Sequence, residues 1–142
     1  MLHMKQKISI FSKGFNNKDV GRKGENVSVE FLINKGFYIV CRNFQRKIGE
    51  VDIIATKNNI FHFFEVKSVT HETPFDYLNR NNTYLPEELV NYQKMLHMKH
   101  TILLFLSENN LLESNIQINV ITITFYKSGH DPRINFIENI SL

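Results

Sequence analysis

The pair Asn58-Asn59 constrains this chain more than any other feature, because it stands between two apolar stretches, residues 49–57 and 60–69. Val51, Ile53 and Ile54 lie on one side of it and Ile60, Phe61, Phe63, Phe64 and Val66 on the other. Such β-branched and aromatic residues favour extended backbone. Asn tolerates positive φ, so the pair fits a two-residue hairpin turn. That turn sets Lys57 opposite Ile60, and the numbers of facing residues then add to 117. Asp52 falls opposite Glu65, and Glu50 opposite Lys67. Side chains alternate along a strand, so all four share one face. Opposed Cβ atoms lie about 4.5–5.5 Å apart, a spacing at which like charges destabilise a sheet. A divalent cation between Asp52 and Glu65 removes the conflict, and hard carboxylate oxygens suit Mg²⁺. Lys67 is then placed to neutralise developing phosphate charge or to orient a water. The competing reading is a solvated acidic hairpin in which Lys67 pairs with Glu50. The apolar neighbours of the acids favour the first. A one-residue slip of register would undo it.

The rest of the chain supplies elements that can pack on this hairpin. Val20, Gly24, Val27, Phe31 and Leu32 recur at helical spacing, which predicts a helix over 19–35 with Gly36 as its C-terminal cap. Strands are expected over 37–44, 49–56 and 60–69. Residues 70–90, with Pro74 and Pro86, read as a loop. Asn91 can cap a helix that runs to about residue 107, with Met95, Met98, Ile102, Phe105 and Leu106 inward. The stretch 117–126 lacks clean alternation and reads as a strand buried on both faces. A turn over 127–132 leads to a closing strand over 133–137. Residues 1–16 form a basic leader in which Ile8, Ile10 and Phe11 could make a short edge strand.

Length and composition narrow the classes. A chain of 142 residues is one domain by the usual prior, here residues 17–142 behind the leader. A hydrophobic share of 42% excludes wholesale disorder. One cysteine, Cys41, excludes an internal disulfide framework and four-cysteine zinc sites, and fits a reducing, cytoplasmic setting. It has no Cys–His pairing and reads as a packed strand residue. No apolar run approaches the ~20 residues that span a bilayer, so no membrane partner is expected. Charge is uneven: residues 1–49 hold ten Lys/Arg against three Asp/Glu, and residues 50–142 hold seven against eleven. A basic front half beside an acidic centre suits an enzyme that attracts a polyanion, although a plain solvated basic surface has the same balance.

An acid in one strand followed by acid-x-Lys in the next resembles the PD-(D/E)xK nuclease core. The wider order is more specific. Gly21-Arg22-Lys23-Gly24-Glu25 opens the first helix, and Arg42-Asn43-Phe44, Gly49-Glu50-Val51-Asp52 and Phe64-Glu65-Val66-Lys67 follow, with Lys94 opening a later helix. Together these resemble the YraN family, predicted nucleases similar in fold to archaeal Holliday-junction resolvases, over roughly residues 20–126. The resemblance implies an α/β, restriction-endonuclease-like fold: a mixed central sheet flanked by helices in the order α-β-β-β-α-β-β. It implies Mg²⁺-dependent phosphodiester hydrolysis, with Mn²⁺ as a substitute. Asp52 and Glu65 match the metal-binding acids, Lys67 the catalytic lysine, and Glu25 the first-helix acid that joins the metal site. Glu50 and Lys94 match positions typical of the family without a settled role. Ser68 and Val69 stand where Thr and Arg are common, and Asn119 where an Asp is common.

Two functions remain. One is a metal-dependent DNA endonuclease acting on branched DNA, with Arg22, Lys23, Arg42, Arg46, Lys47 and Lys94 gripping phosphates. A homodimer is the form that would cut both strands. The other is a nucleic-acid-binding protein of the same fold with little or no catalysis, which Val69 and Asn119 favour. His97 and His100, three apart on a helix, could face together as metal ligands, but no acid or cysteine completes a zinc set. Phe61 and Phe63 read as core rather than as base-stacking platforms.

Overall fold

The computed structural model describes residues 17–74 and 91–140. The leader, its expected edge strand and most of the expected loop lie outside the described residues. The elements run α1 (Asn17–Asn34), β1 (Tyr38–Arg46), β2 (Gly49–Lys57), β3 (Ile60–His71), α2 (Tyr92–Glu108), β4 (Ile116–Tyr126) and β5 (Arg133–Ile137). The fold is α/β in the expected order, and a five-stranded mixed sheet with two helices is compatible with a restriction-endonuclease-like arrangement. Ends differ from the sequence reading by a few residues, because cross-strand pairing extends a strand past its last strong β-former. Residues His71 and Tyr126, for instance, pair at the end of β3 and β4.

The strands stand in chain order, β1-β2-β3-β4-β5. β1–β2, β2–β3 and β4–β5 are antiparallel, while β3 and β4 are parallel. Parallel neighbours need a crossover, and α2 lies within it. Asn58 and Asn59 take φ of 52° and 61°, both left-handed, so the two-residue turn forms as the dipeptide predicts. Lys57 faces Ile60, and the register continues to Ile53 facing Phe64.

Each face of the sheet carries one helix and one apolar cluster. Val51, Ile54, Phe63, Ile118 and Val120 pack with Met95, Met98, Ile102, Phe105 and Leu106 of α2. Ile53, Ala55, Phe64, Ile121, Ile123 and Phe125 pack with Leu32, against which Val27 and Phe31 of α1 are set. Burying one such side chain is worth about 1.5–3 kcal/mol. β4 is buried from Ile118 to Tyr126 on both sides, as its unbroken apolar run requires. Phe63 is fully buried in the core, and half-buried Phe61 and Cys41 pack against the α2-side cluster.

Two local devices fix α1. Gly36 ends it at φ 90°, a conformation L side chains rarely adopt. Gly24 lets it approach β3: a Cβ there would overlap the Ser68 hydroxyl and come within 2.9 Å of Ser68 Cβ. At the start of α2, Asn91 Oδ1 accepts the Lys94 backbone N–H at 3.3 Å, the expected cap. Among the described residues, no helix is long and apolar enough to cross a membrane.

Candidate active site

The regular hairpin ladder stops one step short of Asp52 and Glu65. Past Ile53–Phe64 no further β2–β3 backbone pair forms. Asp52 Oδ2 instead accepts the Val66 backbone N–H at 2.8 Å, so a side chain takes the place of a ladder carbonyl. Val51 belongs to the α2-side cluster and Ile53 to the α1-side cluster, although residues two apart share a face in a regular strand. Alternation therefore breaks at Asp52. Across the β1–β2 ladder Asn43 has φ 53°, between the pairs Arg42–Ile53 and Phe44–Val51. Both strands are irregular where the acid sits.

The expected facing of Glu50 and Lys67 is not formed, because the two strands have ceased to pair by then. Glu50 pairs with Gln45 of β1 and accepts its Nε2 donor at 3.3 Å. Lys67 turns to Glu65, with Nζ 3.2 Å from Oε1. Lys94, expected on the DNA-gripping rim, reaches in from α2 to the same oxygen at 2.6 Å. Nothing in the sequence marked this contact beyond the position of Lys94 in the first turn of a capped helix.

Glu65 is 1% exposed. Its Oε1 makes ionic contacts with two ammonium groups without well-directed hydrogen bonds, and its Oε2 has no partner. A buried carboxylate oxygen without a partner is costly in a protein interior. Burial first, and the charge of Glu65 second, push the Asp52 carboxyl up to about 7, against the opposing pull of the Val66 N–H and of Lys94. Burial works against the charge of Lys94, yet its contact with Glu65 wins and holds the ammonium above its ordinary range. Two acids that repel each other, one with a bare oxygen, fit a hard divalent cation, which commonly takes one or two protein carboxylates and keeps its waters.

Glu25 stands apart from this pair in its contacts. Its Oε1 accepts Arg42 Nε and Asn43 Nδ2, both at 2.9 Å. Among the described residues no three His, Cys, Asp or Glu converge as a metal cage. The rim cations are unequally available. Arg42 is engaged by Glu25 and Asn26. Arg46 forms a two-pronged pair with Glu108 at 2.9 and 2.5 Å. Arg22 and Lys47 are exposed, and Lys23 is half-buried. His97 and His100 are exposed on α2. His97 joins Gln45, Arg46, Gly49, Glu50 and Lys94 around a cleft of about 330 Å³ beside the acids.

Asn119 lies elsewhere. It is fully buried on the α1 side, where its amide bonds His62 and Asn139. Its side chain is engaged away from the Asp52–Glu65 cluster.

With this order of elements and motifs in place, the comparisons decide the family. The model described as "Uncharacterised protein family UPF0102" matches residues 24–123. The chain belongs to the UPF0102 family. A UPF0102 protein of Clostridium novyi is 37% identical over 123 residues, covering 87% of this chain and 95% of that protein. One of Dictyoglomus turgidum is 30% identical over 125 residues, covering 87% and 98%. One of Campylobacter fetus is 31% identical over 122 residues, covering 85% and 92%. UPF0102 is the YraN family that the sequence motifs resemble.

Proposed function

We propose that this UPF0102 protein is a cytoplasmic, metal-dependent DNA endonuclease that hydrolyses phosphodiester bonds, with branched DNA as its preferred substrate. The observation that carries the reading is the pair of half-buried Asp52 and buried Glu65, with one Glu65 oxygen bare and two lysines beside it. Asp52 and Glu65 would hold Mg²⁺ or Mn²⁺, which when bound supplies Lewis-acid chemistry at the phosphate. The chain's own residues do the rest. Lys67, 22% exposed at the side chain, presents an ammonium where charge develops on the phosphate. The Val66 N–H fixes the Asp52 carboxylate against β3. Arg22, Lys23 and Lys47 supply phosphate grip, with Arg42 and Arg46 contributing once released from their acids. Shape, rather than base reading, sets preference, and two copies of the chain would cut the two strands of a junction.

A gel assay tests this on a labelled four-way junction beside a matched duplex, with Mg²⁺ and with Mn²⁺. The expected result is junction cleavage that Asp52→Asn abolishes. No cleavage by the wild type with either metal and several DNA shapes would replace this reading with that of a binding protein of the same fold. Val69, which stands where an Arg is common in the family, is what favours that second reading.

A further inference from the structure

Glu65 is neutralised from two directions that are not equivalent. Lys67 sits two residues along the same strand, and its reach is set by β3. Lys94 comes from α2 on a flexible four-carbon stem. Its ammonium is the nearer to Oε1, 2.6 Å against 3.2 Å, yet its side chain is the more exposed, 41% against 22%. Lys94 also lines the adjoining cleft, whose wall includes the Glu50 carboxylate. The same side chain therefore touches a buried acid and borders a space with a second acid in it.

We propose that Lys94 is an exchangeable counter-ion and a positioning residue for the site. In the metal-free protein its ammonium keeps the Glu65 carboxylate neutralised and aimed. With a divalent cation held by Asp52 and Glu65, Lys94 would release Glu65 and turn into the cleft it shares with Glu50, where its charge would face an incoming phosphate. This rests on the reading of Asp52 and Glu65 as metal-holding acids. Burial keeps a carboxylate 1% exposed in need of a cation, and Lys67, 3.2 Å away on the same strand, stays beside it while Lys94 exchanges. The cleft makes it feasible, since the displaced charge keeps an acid and solvent within reach. Lys67 has less exposure and is the weaker candidate for the moving group.

The test is Mn²⁺ binding to the full chain, by calorimetry and by loss of the free-ion electron paramagnetic resonance signal. Lys94→Met removes the competitor, so its Mn²⁺ affinity should exceed that of the wild type by about tenfold, the scale of one charged contact. Lys94→Arg keeps the charge and should stay near the wild type. Mn²⁺ should also raise the melting temperature of Lys94→Met more than that of the wild type. Equal or weaker affinity in Lys94→Met would overturn the exchange while leaving the metal site standing. Absence of binding in both proteins would overturn the exchange together with the nuclease reading. Should Lys94→Met fail to fold, amine labelling of the wild type, read by mass spectrometry, decides the matter. Mn²⁺ should increase modification of Lys94, and unchanged modification would count against displacement.

Discussion

The sheet buries a polar cluster on each face, and the two are handled in opposite ways. On the α1 side, Asn119 is fully buried, and its Nδ2 donates to His62 Nδ1 at 3.0 Å. Its Oδ1 accepts the Asn139 N–H at 3.0 Å, which fixes the amide orientation. An amide NH₂ can only donate, so Nδ1 of His62 accepts and the ring proton sits on Nε2. Burial holds this imidazole below its usual pKa, so it stays neutral. Phe37 closes over it, ring to edge, at 4.9 Å. On the α2 side Glu65 keeps an unpartnered oxygen and Asp52 is pushed toward neutrality. A polar cluster with its bonds made fastens elements together. One with bonds left open stores a demand that a ligand can meet.

The largest effect should separate the two clusters by activity. Lys67→Ala should lower junction cleavage by roughly 10²–10³-fold, the scale for losing one group that stabilises transition-state charge. DNA binding should change little, because grip is spread over many phosphates. Undiminished cutting would point to another active site.

The second effect reverses the roles. Asn119→Leu strips partners from His62 Nδ1 and the Asn139 N–H, and should cost about 2–4 kcal/mol in urea unfolding. Cleavage per folded molecule should be unchanged. A loss of rate without a loss of stability would erase the distinction between the faces.

The third concerns pH in the metal-free protein. An Asp at about 4 in the unfolded chain and about 7 in the fold binds its proton more tightly when folded. Stability from this group is therefore present at low pH, declines as pH rises from about 4 to about 7, and is flat above. Asp52→Asn should remove that decline, and at pH 8 it should be more stable than the wild type by on the order of 1–3 kcal/mol. Thermal melts at several pH values read this. A decline that persists in the variant would assign it to other groups.

The smallest effect lies outside both clusters. Lys47 is exposed, whereas Arg46 is paired with Glu108. Lys47→Ala should lower the salt slope of DNA binding by about one unit per lost phosphate contact, and Arg46→Ala should lower it less. Equal slopes for wild type and Lys47→Ala would take this turn off the DNA face.

What could be read from sequence follows the distance over which each feature is decided. The Asn58-Asn59 turn is decided within four residues, and it carried the register correctly from Lys57–Ile60 to Ile53–Phe64. Gly36 and Asn91 are caps decided within one turn of helix, and both were legible. The end of the ladder was not, because the Asp52 carboxylate replaces a backbone acceptor for Val66, an outcome that depends on how β1 bends at Asn43. Nor was the grip of Lys94 on Glu65, since their meeting depends on where the crossover sets α2. The engagement of Glu25 by Arg42 and Asn43, and of His62 by Asn119, required tertiary placement in the same way.

The parallel pairing of β3 with β4 has a consequence in time as well as in space. β1, β2 and β3 follow one another through short connections and can assemble from local contacts soon after they leave the ribosome. β4 begins at Ile116, whereas β3 ends at His71. At ordinary synthesis rates of about 5–20 residues per second, those intervening residues take several seconds to appear. Throughout that interval β3, with Phe63 and Phe64 in it, has an open hydrogen-bonding edge. Non-local partners of this kind are also slow to close once available. A chain cut short before β4 should thus aggregate through β3 rather than persist as a smaller folded unit.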